Sequence, residues 1–112
     1  MITLEINGQN YKVEYDINAG CDMEDRSGKI ITRLVDDSLT AVRLMLWGGL
    51  RLHHEDITLT DAGRLVSAHG DRITLMQTLL DEMVAAGFFG KAAQKPPESK
   101  KNQRQSAKPT QP

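Results

Sequence analysis

Residues 39–52 read LTAVRLMLWGGLRL, and the reading of this stretch decides the fold. Val42, Leu44, Met45, Leu46, Trp47 and Leu50 fall on nearly every side of a helix drawn through it, whereas a surface helix confines its apolar residues to one stripe. Such a segment is either the centre of a core or the seat of a partner. Ser38 stands directly before it as an N-cap, so a helix over Leu39–Leu52 is expected. Gly48-Gly49, set inside so apolar a helix, is no phosphate-binding loop; it points to close packing or a kink.

Working downstream, Thr58 or Thr60 can cap a helix over Asp61–His69, which Gly70 closes. A last helix then runs from about Asp71 to Phe89. In it Ile73, Met76, Leu80, Met83 and Gly87 recur at alternating steps of three and four, and Leu79, Val84 and Phe88 widen the stripe. Upstream, Ile30–Asp36 reads as a short helix. Asp16 caps another that continues to about Arg26 and stops at Ser27-Gly28. The beginning of the chain alternates instead: Ile2, Leu4 and Ile6, then Asn7-Gly8, then Tyr11, Val13 and Tyr15. Asn-Gly between alternating runs is a hairpin signal, predicting strands over 2–6 and 11–15. An isolated hairpin is marginal, so its apolar face must pack on the helices. The expected fold is α+β and mostly helical: an N-terminal β-hairpin followed by a bundle of about five helices.

Charge divides the chain in two. Residues 1–90 carry 8 Lys/Arg against 14 Asp/Glu, a net of −6, while residues 91–112 carry 6 against 1, a net of +5. The second segment holds all four prolines and no large apolar side chain, so it lacks the means to bury a core of its own. It is expected to be a flexible basic tail on a single domain spanning 1–90. Cys21 is alone, which rules out an internal disulfide and fits a reducing compartment. MITLEINGQNYK shows no basic start leading into an apolar run, and Leu44–Leu50 is far too short to span a bilayer. A cytoplasmic location and no membrane contact are therefore expected.

The residues that carry chemistry do not assemble into an active site, and neither an enzyme nor a cofactor is expected. His53-His54-Glu55-Asp56 lacks the His-Glu-x-x-His spacing of a helical metal site, and Cys21 and His69 have no ligand nearby in sequence. These residues read as a polar loop after a buried helix. The acidic run Asp16–Asp25 has Cys21 where a calcium loop needs glycine, so no metal is assigned. Ser27 and Ser67 have no base partner. The helices either side of Gly70 resemble a helix-turn-helix, but the second has Arg72 against Asp81 and Glu82 and would be repelled by phosphates. The tail suits phosphate contact but has no aromatic for base stacking. Two sets remain. Arg43, Trp47 and Arg51 stand four apart, each step turning about 40° past a full turn, and form one slanting stripe. That stripe is either interface hot-spot chemistry or the plain edge of a core helix, its Trp47 half-buried and its arginines paired with acids. Met76 and Met83, with Met45 and Met23, form either an adaptable groove or ordinary core.

The hairpin leading into Tyr15-Asp16-Ile17-Asn18-Ala19, the acidic helix after it, and the central Leu39–Leu50 with its Arg43-Leu44-Met45-Leu46-Trp47-Gly48-Gly49-Leu50 run carry a likeness. With His54-Glu55-Asp56, Leu59-Thr60 and Gly63, they resemble the small tail assembly chaperones of phages and gene-transfer agents over residues 2–85. The resemblance implies a phage or prophage protein of the bacterial host cytoplasm. It would bind the tape measure protein, keep its apolar helices soluble and help recruit tail tube subunits; separately, exposed apolar stripes would favour self-association into homo-oligomers. Arg43, Trp47 and Arg51, or the Met76, Leu80, Met83 and Phe88 stripe, would contact the partner. The competing expectations are a structural tail or connector component retained in the particle, and a nucleic-acid-binding adaptor acting through the basic tail.

Overall fold

The computed structural model describes residues 1–90; the expected tail, 91–112, lies outside the described residues. An N-terminal antiparallel hairpin, β1 (Ile2–Ile6) and β2 (Gln9–Val13), leads into five helices. These are α1 (Ile17–Ser27), α2 (Ile31–Leu34), α3 (Leu39–Leu50), α4 (Leu59–His69) and α5 (Arg72–Ala85). The α+β, mostly helical architecture is thus the one the sequence implies, and α3 is its axis. That helix packs against α1, α4, α5 and β2. Every residue from Ala41 to Leu50 is buried except Arg43. Around it, Val13, Met23, Leu75, Leu79 and Met83 are fully enclosed and close the core. Each such side chain contributes about 1.5–3 kcal/mol of burial, so the core rests on aliphatic and thioether groups with few aromatics.

The hairpin begins to pair two residues earlier than the alternation suggested. Asn7 and Gly8 both take positive φ, 54° and 77°, a two-residue turn of the primed kind whose twist matches that of the strands. Ile6 therefore faces Gln9 directly, and the ladder runs back to Ile2 opposite Val13. The second strand is thus Gln9–Val13, not 11–15, because Met1, next in register, turns its amino group to Glu82, 3.2 Å away, instead of continuing the ladder. The chain continues by a different bond: the Glu14 N–H donates to the carbonyl of Gly49, 2.8 Å away, and ties the hairpin to α3.

Local caps explain most helix boundaries. Asp16, Ser38 and Asp71 each accept from the backbone N–H three residues on. Thr58 and Asp61 form a reciprocal capping box, which starts α4 at Leu59 ahead of the expected Asp61. The helix expected over Ile30–Asp36 is a single turn. No side chain caps it at Ile30; instead the Glu24 carboxylate accepts from the Ile31 N–H at 2.8 Å, and the chain turns extended at Val35. α3 stops at Leu50, where the N–H groups of His53 and His54 both fold back onto the Leu50 carbonyl.

The largest correction falls at the end of α5. The helix ends at Ala85, short of Phe89, because Gly87 adopts φ 88°. The Gly87 N–H bonds the Val84 carbonyl and the Phe88 N–H reaches the Met83 carbonyl, which is the Schellman arrangement. The buried face of α5 also differs from the expected stripe. Leu75, Met76, Leu79 and Met83 face the core, while Ile73 is 61% exposed. Among the described residues no helix is long and apolar enough to cross a membrane.

Candidate partner-binding surface

Trp47 is the one indole of the chain and is 7% exposed. It lies on the outer part of α3, near the helix end, where its Nε1–H donates to the Ile57 carbonyl at 3.2 Å. That bond fixes the ring and anchors the loop between α3 and α4. Two guanidiniums lie against the ring. The Arg51 Cζ is 5.8 Å from its centre and the Arg26 Cζ is 5.1 Å away. Arg51 is held by Asp22 at 2.7 Å, an ion pair about one-third exposed and worth about 0.5 kcal/mol after solvent screening. Arg26 has no carboxylate partner among the described residues, and its contact with Trp47 contributes about 0.5–1 kcal/mol.

The expected Arg43–Trp47–Arg51 stripe is therefore split. Trp47 and Arg51 come together, but Arg43 crosses to α4. A Cβ added at Gly63 would lie 3.3 Å from the Arg43 Cδ, and the two residues line a separate small cavity with Leu39 and Val66. Arg26 takes the place expected of Arg43. Its 21-residue separation from Trp47 carries no periodic signal, and only the packing of α1 on α3 brings the two together.

The methionine stripe divides in the same way. Met83 is fully buried and Met76 is 7% exposed, so both are core residues; Leu80 is packed beside them, partly exposed. Phe88 closes the seam beside α1. Its ring lies 3.1 Å from where a Cβ of Gly20 would be, and it meets Tyr15 edge-on with centroids 5.7 Å apart. Tyr15 is itself buried and donates to the Met45 carbonyl. Burial first, and the charge of Glu82 second, push its hydroxyl pKa far above the ordinary range.

The polar loop after α3 works as a fastener. His53 Nε2 lies 2.8 Å from Glu14, and His54 Nε2 accepts from the Lys12 N–H at 3.3 Å while its ring meets Tyr11. These histidines hold β2 against the end of α3. Among the described residues no three His, Cys, Asp or Glu side chains converge to hold a metal ion.

Beside Trp47 the surface is concave. A hollow of about 710 Å³ opens between α1, the end of α3 and the first turn of α4, with Arg26, Arg51, Asp25 and Glu55 on its walls and Ile57 and Leu59 at its apolar side. Elsewhere Ile17, Ile30, Leu39 and Ile73 stand 61–72% exposed. No family model matches the chain, and neither a curated protein nor a solved structure is found to match it.

Proposed function

We propose that this protein is a phage or prophage tail assembly chaperone that binds the tape measure protein and helps bring tail tube subunits to it. The supporting observation is the hollow beside Trp47: the indole is buried and fixes the wall, and what faces outward is Arg26 and Arg51 beside Ile57 and Leu59, a pairing of guanidiniums with apolar side chains that suits a partner interface. The resemblance of residues 2–85 to the tail assembly chaperones names the partner. In this reading the aliphatic core is scaffold and the Trp47 hollow is the working surface.

The test is to find whether the neighbouring gene encodes a long helical tape measure protein and to co-express that protein with this chain. The expected result is a soluble tape measure protein that co-purifies with this chain and precipitates without it, together with finished tails that lack this chain. Tails that retain it in fixed ratio would instead make it a structural component. A tape measure protein equally soluble with and without it would end the chaperone reading.

A further inference from the structure

The charges around the Trp47 hollow select a particular occupant. Five charged side chains line it, and two of them, Asp22 and Arg51, neutralise each other at 2.7 Å. What remains is Arg26 against Asp25 and Glu55. Arg26 lies over the indole, its Cζ 5.1 Å from the ring centre, and has no carboxylate partner among the described residues, so its forked donors are open to a planar acceptor. Two carboxylates on the same walls make the hollow net negative, so phosphates and polyanions are disfavoured and basic groups are welcomed. Ile57 and Leu59 offer an apolar floor. The walls are helices and a loop with no strand edge, so strand addition is not available there, and apolar side chains between charged walls suit the apolar face of an amphipathic helix.

From these features we infer that the hollow binds an amphipathic helical segment of a partner protein with mixed charge. One carboxylate of that segment meets Arg26 above the Trp47 ring, basic residues three or four positions away meet Asp25 and Glu55, and an apolar residue between them rests on Ile57 and Leu59. The inference rests on the proposed reading of this surface as a partner site, and it names the partner's chemistry.

Two synthetic peptides of about 20 residues, some 30 Å of helix, test it. Both carry the same leucine stripe. The first presents one Glu to two Lys at spacings of three and four; the second has every charge inverted. Each is titrated into the full chain by calorimetry and by Trp47 emission. The expected result is saturable binding of the first peptide with a change in emission, at least about tenfold tighter than the second. Arg26→Gln, a change at an exposed position, should weaken the first peptide about tenfold, the loss of one charge-assisted hydrogen bond. Asp25→Lys should recover affinity for the inverted peptide. Equal binding of the two peptides, no effect of Arg26→Gln, binding without a change in Trp47 emission, no binding at all, or displacement by inorganic phosphate would each overturn the inference. Capture of the tape measure protein with no dependence on charge order would end this inference alone. Charge-ordered peptide binding by a chain that leaves the tape measure protein insoluble would end the chaperone reading alone.

Discussion

Replacing Gly49 by alanine tests the central packing, because the same substitution at three glycines should give three different results. A Cβ at Gly49 would sit 2.7 Å from Val13 Cγ1 and 2.9 Å from Tyr15 Cζ. Neither neighbour can retreat. Val13 is fully buried and β-branched, and Tyr15 is buried and tethered through its hydroxyl to the Met45 carbonyl. Overpacking of this kind costs about 3 kcal/mol, at the upper end because two rigid groups are struck. Alanine returns about 1 kcal/mol through helix propensity, leaving about 2 kcal/mol of net destabilisation. For a domain of this size that lowers the melting temperature by about 10 °C. At Gly48 the Cβ would strike the Met23 side chain, at 2.3 Å from Sδ. A thioether can swing aside in part, so Gly48→Ala should cost about 1 kcal/mol. At Gly63 the nearest group is the Cδ of exposed Arg43 at 3.3 Å, which moves freely. Gly63→Ala should therefore stabilise by about 0.5–1 kcal/mol. Urea unfolding followed by circular dichroism gives all three values. The reasoning fails if Gly49→Ala is as stable as the parent, or if the order of the three is not Gly63, Gly48, Gly49 from gain to greatest loss.

Three further outcomes follow from single contacts. Tyr15 ionises near 10.0 when unfolded and far higher when folded, so its contribution is fully present below that value and is lost as pH rises above it; unfolding midpoints should fall across the alkaline range, and Tyr15→Phe should flatten that fall while costing about 1 kcal/mol at neutral pH. Phe88→Ala opens the seam against Gly20 and Tyr15, and because the ring is only partly buried the loss should be about 2 kcal/mol, below that of a fully buried aromatic; a denaturant midpoint measures it. Asp71 is held below its ordinary 3.8 by the Thr74 side-chain and backbone hydrogen bonds, so its cap is intact above that range and fails as pH falls through the lowered value; Asp71→Asn should remove this component of acid sensitivity, read as the pH dependence of α5 amide exchange.

The elements most legible in the sequence are those whose causes lie within a few residues. Asn7-Gly8 specifies its turn through its own backbone preferences, and Asp16, Ser38, Thr58 and Asp71 cap by bonds that span three positions. Gly28 and Gly70 end helices by accepting a left-handed conformation. Gly87 does the same, although its interval among apolar residues places it in the α5 stripe. Its true partners are the carbonyls of Met83 and Val84, a bond pattern that periodicity does not register. Periodicity leaves the inward face of α5 undecided for a related reason. When Leu75, Met76, Leu79, Leu80 and Met83 are all apolar, two neighbouring stripes fit the sequence equally well, and only packing against α3 decides which one turns inward.

The stretch 39–52 shows the same division in one helix. Its sequence alone determined that α3 would be the centre of the molecule, since apolar side chains on every side must be covered by other elements or by a partner. It also determined that Arg51 would lie near Trp47, one turn away along the helix. Which second cation sits on the indole was decided by the tertiary structure. The docking of α1 brings Arg26 to the ring, and the crossing of α4 draws Arg43 away to Gly63. Helical spacing fixes angles about one axis, but the meeting of side chains on different helices depends on how those axes cross, and that is set by the whole core at once.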